Sequence, residues 1–328
     1  MDRVTLSLGS GGSASASFVK EMIQTRFGNE YNKGLPDAAH LDIKGKVAFT
    51  TDSYVVRPEF FPGGDIGKLA VCGTVNDLAV SGARPRFLSL GLIIPEGYPF
   101  EQLERVLDSI KETSERAGVL IACGDTKVVD RNGADGLLIN TAGIGEVIMD
   151  TASFERVCEG DAVIFTSDIA RHGVSVLIER GELGFSGNIE SDCAPLNGML
   201  ERIWDYDVKF VRDATRGGGA AVLNEIAEQS GMGILLREDD IPLSEDVANL
   251  CDMLGFDPLS VANEGLAVII VSSDDSTKLL NTLKETPEGE KSALVGTITG
   301  DKRVIIETSI GGRRVVDMPA GELLPRIC

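Results

Sequence analysis

Residues 61–79 read FPGGDIGKLAVCGTVNDLA, and this stretch decides the fold. From Asp65 to Ser81 the small and apolar residues predict a helix that can pack closely against its neighbours. A helix interior disfavours both Asn76 and Asp77, so their presence here indicates a task other than helix formation. A continuous apolar run follows at Phe87 to Ile94 and predicts a buried strand.

The rest of the amino-terminal part alternates helices and strands in the same way. A helix is predicted after a glycine-rich loop, and a short buried strand is predicted to deliver Asp52 at its end. Two further strands flank a loop, Gly124 to Lys127, which we expect to lie where α/β proteins often carry their chemistry. The remaining predicted bounds are helices at 15–27 and 101–115 and strands at 47–51, 119–122 and 136–147.

A second α/β unit is predicted after Met149. Its strands are predicted at 162–166, 233–236, 266–271, 293–298 and 304–307, and its helices at 174–182, 196–204 and 218–231. The sequence therefore predicts an α/β (α+β) chain with domains at 1–149 and 150–317. Residues 318–328 carry two prolines and no periodicity, which predicts a mobile tail.

The charge balance limits the partners of the chain. Its 31 Lys+Arg against 51 Asp+Glu give a formal charge of −20, which argues against nucleic acid or an anionic membrane surface as a partner. No long apolar run or basic leader is seen, so we expect a soluble, cytosolic protein. The six cysteines form no C-x-x-C pair, which indicates neither a zinc knuckle nor a disulfide framework.

Three aspartates are the strongest candidates for a metal site. Asp52, Asp77 and Asp125 each lie beside a predicted strand end or helix, where a side chain can be held in place. Mg²⁺ prefers carboxylate oxygens together with phosphate oxygens and water, so three converging aspartates would suit a nucleoside triphosphate. The alternative for each aspartate is a helix cap or a turn.

Glycine-rich segments before helices are candidate phosphate sites. Gly11 and Gly12 lie in such a loop, Lys68 lies one turn into the helix that begins at Asp65, and Arg216 precedes Gly217 at the start of another helix. The alternatives are a flexible loop, a solvated lysine and a structural turn.

Other single residues carry possible chemistry. Glu264 lies at the entrance of an apolar strand, where a partly buried carboxylate can act as a general base. His40 and His172 share no metal-ligand spacing, and His172, beside Gly173, is a weaker candidate for a nucleotide contact. A thiol on the last residue, Cys328, can be acylated and presented to a partner, unless it is an incidental free cysteine.

Seven segments, in their order along the chain, resemble the PurM-like ATP-binding superfamily and specifically the HypE family of hydrogenase maturation factors. The resemblance covers nearly the whole chain, and its most specific part is the terminal Pro325-Arg326-Ile327-Cys328. The others are Thr50–Ser53, Phe61–Ala70, Gly73–Ala79, Gly124–Val129, Asn140–Gly145 and Asp213–Gly218. The serine-rich and alanine-rich run 13–17 departs from the family's bulkier or basic residues.

The resemblance implies a fold and an activity. It implies a homodimer that pairs the two amino-terminal sheets, with ATP and Mg²⁺ bound at the interface. It further implies that a HypF-like carbamoyltransferase loads Cys328 and that ATP-dependent dehydration turns the S-carboxamide into a thiocyanate. An iron-carrying HypC–HypD-like complex then accepts the cyanide for [NiFe]-hydrogenase.

The resemblance also implies roles for individual residues. The catalytic set is Cys328, Lys127 as the cation near the amide oxygen, and Glu264 as the base near its nitrogen. Asp52, Asp77 and Asp125 are the expected magnesium ligands. The expected nucleotide contacts are Gly11, Gly12, Asp65, Lys68, Asn76, Thr126, Arg216 and Gly217. Residues 318–328 can span at most about 35–40 Å, so we expect the tail to alternate between inward and outward positions.

Two other functions stay open at this point. A selenophosphate or aminoimidazole ribotide type of synthetase would share the ATP site, although the first 20 residues lack the reactive cysteine expected of a selenophosphate synthetase. A nucleotide-binding scaffold that docks maturation partners is the alternative from a different class.

Overall fold

A computed structural model of the chain describes residues 3–9, 12–151, 153–181, 189–321, 324 and 327. Within these residues the strands form a four-stranded sheet, a seven-stranded sheet and a two-stranded ribbon. The strands are β1 (Val47–Tyr54), β2 (Phe60–Phe61), β3 (Gly64–Asp65), β4 (Ala83–Pro95), β5 (Leu120–Val129), β6 (Leu138–Val147), β7 (Ala162–Phe165), β8 (Val208–Asp213), β9 (Gly233–Arg237), β10 (Ala267–Val271), β11 (Ala293–Thr299), β12 (Val304–Glu307) and β13 (Arg313–Val315).

The described helices lie mostly between these strands. They are α1 (Gly12–Phe18), α2 (Thr25–Phe27), α3 (Ile66–Val80), α4 (Phe100–Ala117), α5 (Arg171–Arg180), α6 (Asn197–Leu200), α7 (Gly218–Ser230), α8 (Glu245–Leu254) and α9 (Ser273–Lys284). A π-helical turn, Val19–Gln24, joins α1 to α2. No helix of the described residues is long and apolar enough to cross a membrane.

The four-stranded sheet has the order β1-β6-β4-β5, and only its β4–β5 pair is parallel. Helices α3 and α4 pack on one face, where Leu88, Leu90 and Leu92 of β4 are buried. The other face keeps exposed apolar side chains, among them Phe49 at 68% exposure. Because side chains alternate along a strand, the sequence places one face in the core and leaves the other uncovered.

The seven-stranded sheet has the order β13-β12-β9-β11-β7-β10-β8, and its only parallel pair among the described strands is β9–β12. All five residues of β10 are buried, as expected for a central strand covered on both faces. Helix α7 covers one face and α9 the other, through two separate apolar clusters.

Most predicted elements are found, one prediction is corrected, and some elements were not predicted. The predicted loop Gly124–Lys127 is wrong, because these residues lie within the continuous strand β5. Glycine, aspartate and lysine occur there because one face of β5 is exposed, which gives a strand the composition of a turn. Strand β8 and helices α8 and α9 were not predicted.

Two polar side chains, Asp65 and Asn76, hold helix α3 in position. At its start Asp65 caps the helix, since its Oδ1 accepts from Gly67 N–H at 2.7 Å and from Lys68 N–H at 3.1 Å. In its interior Asn76 is 2% exposed and reaches into the second domain. It donates to Ala194 O at 3.0 Å and Glu264 O at 3.3 Å and accepts from Leu196 N–H at 2.8 Å. The Asn76 amide is therefore one of the groups that join the two units.

We expect Asn76→Ala to lower the free energy of unfolding by about 2–4 kcal/mol, because it leaves a buried N–H and two carbonyls without their partner. Urea unfolding followed by circular dichroism measures this change. The exposed Asn132 provides the control, and Asn132→Ala should stay within about 0.5 kcal/mol of the unsubstituted chain. Equal effects of the two substitutions would contradict the role of Asn76.

A cavity of carboxylates between the two sheets

A cavity of about 360 Å³ lies between the first sheet and the second unit, and acidic groups line it. Asp52 comes from β1, Asp77 from α3 and Asp213 from the end of β8, while Glu264 precedes β10. Thr50 Oγ1 donates to Asp77 Oδ2 at 2.7 Å and holds that carboxylate in place. The structure thus brings together two of the three predicted metal ligands and the predicted base.

Burial raises the pKa of every one of these carboxyl groups, and the charges of neighbouring carboxylates raise it further at Asp77, Asp213 and Glu264. Burial is the largest cause throughout. For Asp77 the charge of Asp52 adds to it, and for Asp213 the charge of Asp77 helps to raise the pKa to about 7. The pKa of Glu264 lies well above its ordinary value, through burial first and then neighbouring Cys193 and Asp213. The cavity is therefore short of positive charge.

A magnesium ion with its phosphate and water ligands fits this arrangement. No group of three or more ligand-type side chains among the described residues could enclose a metal ion by itself. Mg²⁺ is commonly held by one or two carboxylates together with substrate phosphates and water, which is what Asp52 and Asp77 offer. A cation here would also lower the raised pKa values of these carboxyl groups.

Arg216 supplies positive charge at the rim of the cavity. Its charge partly offsets the effect of burial on the pKa of Asp52 and of Asp77. Gly217, in the left-handed region at φ 78°, is the amino-terminal cap of α7. The predicted pair therefore lies where a phosphate could reach both a guanidinium and a helix amino terminus, and its role as a nucleotide contact stays a prediction.

The third predicted metal ligand lies elsewhere in the chain. Asp125 and Lys127 form an exposed ion pair at 3.7 Å. The strand registers place Asp125 in one row with Gly91, Asn140 and Ser53, on the face of the sheet opposite to Asp52. Three strand spacings separate β1 from β5, about 14 Å. Within one chain, the predicted convergence of three aspartates and the pairing of Lys127 with Glu264 are therefore not found.

Asp125, Thr126 and Lys127 instead line a second cavity, of about 570 Å³. Its walls include Gly9, Ser15 and apolar side chains such as Ile23 and Phe27. A Cβ at Gly9 would lie 2.7 Å from Val128 N, so the amino-terminal loop approaches β5 closely. Of the two predicted loop glycines, Gly12 begins α1 with φ 79°, whereas Gly11 lies outside the described residues. A mixed polar and apolar wall is typical of a small-molecule site.

Three predicted nucleotide contacts make hydrogen bonds within the fold. The Asp65 carboxylate caps α3, and Lys68 Nζ donates to Gly63 O at 2.7 Å. Neither residue lines the two cavities described above. The Asn76 side chain makes hydrogen bonds at the domain junction, and its contact with nucleotide stays a prediction. Sequence alone shows that Asn76 is unusual, but not that its partners are backbone groups over 100 residues away.

Glu264 is held by the backbone on both sides of it. Asp192 accepts from Glu264 N–H at 3.2 Å and from Gly265 N–H at 3.0 Å, and a Cβ at Gly265 would lie 1.9 Å from Asp192 O. Before it, Asn263 Oδ1 accepts from Ala170 N–H at 2.7 Å. The backbone that carries the Glu264 carboxylate is therefore held in place, with 4% of the residue exposed.

The carboxyl-terminal segment lies against the same framework. Leu324 and Ile327 are buried, at 8% and 6% exposure, and Ile327 O is 2.6 Å from His172 Nε2. Cys328 lies outside the described residues. The structure thus places Leu324 and Ile327 in an inward position, and the predicted mobility of the tail stays a prediction.

Two members of the acidic cavity were not singled out from the sequence. Asp213 follows a strand in the same way as Asp52, so the same signal could have found it, had β8 been predicted. Tyr54 is buried, and its hydroxyl donates to Asp52 Oδ2 at 3.4 Å. An isolated tyrosine at the end of a strand gives no such signal.

Comparison with known proteins agrees with this architecture. Models of the AIR synthase related protein family match residues 36–147 (N-terminal domain) and 158–309 (C-terminal domain). The carbamoyl dehydratase HypE of Escherichia coli K12 is 42% identical over 336 residues, covering 100% of both chains. The crystal structure of a hydrogenase maturation protein HypE in complex with ATP is 43% identical, covers 99% of both chains and superposes with a TM-score of 0.94. A HypE chain in a HypE–HypF complex is 43% identical, with a TM-score of 0.81 over 92% of this chain and all of that one.

The raised pKa of Asp213 predicts a pH dependence of stability. The folded chain holds this proton up to about pH 7, whereas the ordinary pKa is 3.8. The contribution of Asp213 to the free energy of unfolding is therefore largest below pH 4 and smallest above pH 7. We expect Asp213→Asn to reduce the fall in melting temperature between pH 5 and pH 8 by several degrees, measured by calorimetry without divalent ions. Asp207 has a lowered pKa through Lys209, so Asp207→Asn should not reduce that fall. Identical profiles for the two variants would contradict the assignment.

Proposed function

The chain belongs to the HypE family of carbamoyl dehydratases within the AIR synthase related proteins, and from this we propose that it dehydrates an S-carboxamide on its own Cys328 with ATP. The product is a thiocyanate, which provides the cyanide ligand for the iron of [NiFe]-hydrogenase. The binding of ATP is supported by the similar HypE structure that contains it. The function belongs in the cytosol, where the hydrogenase subunits are matured.

One observation carries the proposal: the end of the chain docks on the framework that holds Glu264. Gly173 N–H donates to Ala262 O at 3.1 Å, and Ala170 N–H donates to Asn263. The same helix, α5, contacts Ile327 through His172. Cys328 follows Ile327 directly in the sequence, so we propose that a group on the terminal sulfur can reach Glu264.

The proposed chemistry balances without a redox step. The oxygen of S–C(=O)–NH₂ attacks the γ-phosphorus of ATP, ADP leaves, and loss of one N–H proton gives S–C(=NH)–O–phosphate. Removal of the second N–H proton forms the C≡N bond as the C–O bond breaks and phosphate departs. Glu264 is our candidate for the group that takes the nitrogen proton. Magnesium, held by Asp52 and Asp77, would neutralise phosphate charge.

A second copy of the chain completes this proposal. The uncovered face of the first sheet carries Asp125 and Lys127 beside exposed Val47, Phe49, Ile93 and Leu120. An exposed apolar sheet face of this kind marks an interface. We propose that two such faces pack together in a homodimer. The second cavity then holds part of the nucleotide, and the partner's copy of this face supplies the cation needed near the amide oxygen.

Two protein partners follow from the chemistry. A carbamoyl donor must reach the terminal sulfur, and the HypE–HypF complex of a similar chain supports a HypF-like partner. An iron-carrying HypC–HypD-like complex is the proposed acceptor of the cyanide. Both need the sulfur outside the cavity, so the tail must leave its inward position.

Intact mass spectrometry tests the reaction directly. The chain is incubated with the carbamoyltransferase partner, its substrates and ATP–Mg²⁺. We expect Cys328 to gain a carbamoyl group and then to lose one water. Glu264→Gln should stop at the carboxamide while nucleotide still binds, and Glu225→Gln, at the edge of the same cavity, should complete both steps. ATP hydrolysis with no change of mass at Cys328 would favour a small-molecule synthetase instead.

The dimer has its own test. Phe49→Glu places a charge on the proposed interface, and we expect sedimentation equilibrium to show mostly monomer, with dehydration reduced at least about tenfold. Met253 is exposed to the same degree, 67%, but lies on α8, away from this face. Met253→Glu should therefore leave a dimer, and a dimer for Phe49→Glu would refute this interface.

A further inference from the structure

His172 makes contacts that are not expected of a histidine that only fills the core or of one that binds nucleotide. It is completely buried, and both ring nitrogens are within hydrogen-bond distance of a partner. Nδ1 lies 2.9 Å from Ser191 Oγ, and Nε2 lies 2.6 Å from the backbone oxygen of Ile327. Phe61 packs edge to face against the ring, with 5.3 Å between the ring centroids. The side chain that was a weak nucleotide candidate therefore contacts the end of its own chain.

The neighbouring groups fix where the protons lie. Ser191 Oγ accepts from Cys193 N–H at 3.0 Å, which leaves its own hydrogen free to be donated to His172 Nδ1. Burial lowers the pKa of His172 to about 4, so the ring is neutral at physiological pH. A neutral ring whose Nδ1 accepts carries its proton on Nε2. Nε2–H therefore donates to the Ile327 carbonyl.

Apolar contacts hold the side chains of the same segment. Leu324 and Ile327 belong to one buried cluster with Val174, Val261 and Ala262. A Cβ at Gly173 would lie 2.5 Å from Val261 Cγ1 and 3.3 Å from Leu324 Cδ1. Glycine beside His172 thus makes room for the docked segment. The apolar pocket contacts the side chains of Leu324 and Ile327, whereas His172 contacts the backbone oxygen of Ile327. The hydrogen bond of His172 therefore depends on the position of the chain end and not on its side chains.

We propose that His172 is a positioning residue that latches the carboxyl-terminal segment in its inward position. Its meaning for catalysis rests on the proposed function, whereas the latch itself does not. The Nε2–H group needs an acceptor in a buried site, and among the described residues the Ile327 carbonyl provides it. Undocking leaves this donor unpaired unless water enters, which makes partly undocked positions unfavourable. The result is a segment that is either fully docked or released.

Removal of the acceptor tests the latch without any substitution in the core. The chain has two histidines, so nitrogen-15 labelling of histidine gives two assignable rings. In the full chain, NMR should show a slowly exchanging Nε2–H of His172 and a rapidly exchanging ring N–H of exposed His40. In a variant that ends at Gly321, the His172 signal should shift or disappear, while His40 is unchanged. A His172 signal that survives this truncation unchanged overturns the proposal.

Substitution of His172 provides a second, independent measurement. His172→Phe keeps the packing against Phe61 but removes the donor, and His172→Gln restores an N–H donor. Hydrogen exchange of the terminal peptide should become about 5- to 10-fold faster in His172→Phe and return part of the way in His172→Gln. His40→Phe is the matched control and should change nothing. Equal exchange in His172→Phe and the unsubstituted chain would overturn the latch.

The catalytic consequence is measured separately from the latch. With Cys328 already carbamoylated, single-turnover dehydration should slow in His172→Phe by a similar factor, with KM for ATP unchanged, and should partly recover in His172→Gln. Faster exchange without slower dehydration would keep the latch and refute its role in the reaction. Absence of any dehydration in the unsubstituted chain would instead refute the proposed function and leave the latch standing.

Discussion

The hydrogen bonds at the start of helix α5 are the constraint on which the rest of the site depends. Asn263 uses its whole amide group, accepting from Ala170 N–H and donating to Ala214 O and Val261 O. Each of these groups is buried, so the loss of one partner would leave another without a hydrogen bond. The segment that carries Glu264 and the helix that meets Ile327 are therefore parts of one rigid framework. Rigid support of this kind is what a base and its substrate need.

The acidic cavity has the opposite character, because the protein alone leaves its charge unbalanced. Asp52, Asp77, Asp213 and Glu264 all have raised pKa values, with burial as the largest cause, and neighbouring carboxylates add to it at the last three. Folding brings these groups together at a cost that a bound cation offsets. The site is thus built to gain from a metal–nucleotide complex. Raised carboxyl pKa values predict that stability falls as the pH rises toward neutral, a cost that is common where a fold is shaped by function.

Much of this arrangement could be predicted from the sequence, and the failures have physical causes. The small and apolar residues of α3 and the continuous apolar run of β4 predicted these two elements, and Asp52 and Asp77 were expected to converge with Asp125. Asp125 was misplaced because alternation along β5 turns it to the opposite face, which a strand taken for a loop cannot reveal. Asn76 and His172 stood out by type, but their partners, Glu264 O and Ile327 O, are over 150 residues away in sequence. Such pairings form only in the tertiary structure, so no local sequence pattern predicts them.

We propose that the docked chain end presents its sulfur to Glu264, and the other parts of the mechanism depend on this contact. A crystal structure of the carbamoylated protein with a non-hydrolysable ATP analogue and Mg²⁺ measures this directly. We predict that the carbamoyl nitrogen on Cys328 lies within about 3.2 Å of the Glu264 carboxylate, with Ile327 still bound to His172. A carbamoyl group more than about 10 Å from Glu264, with the tail docked and nucleotide bound, would contradict the claim.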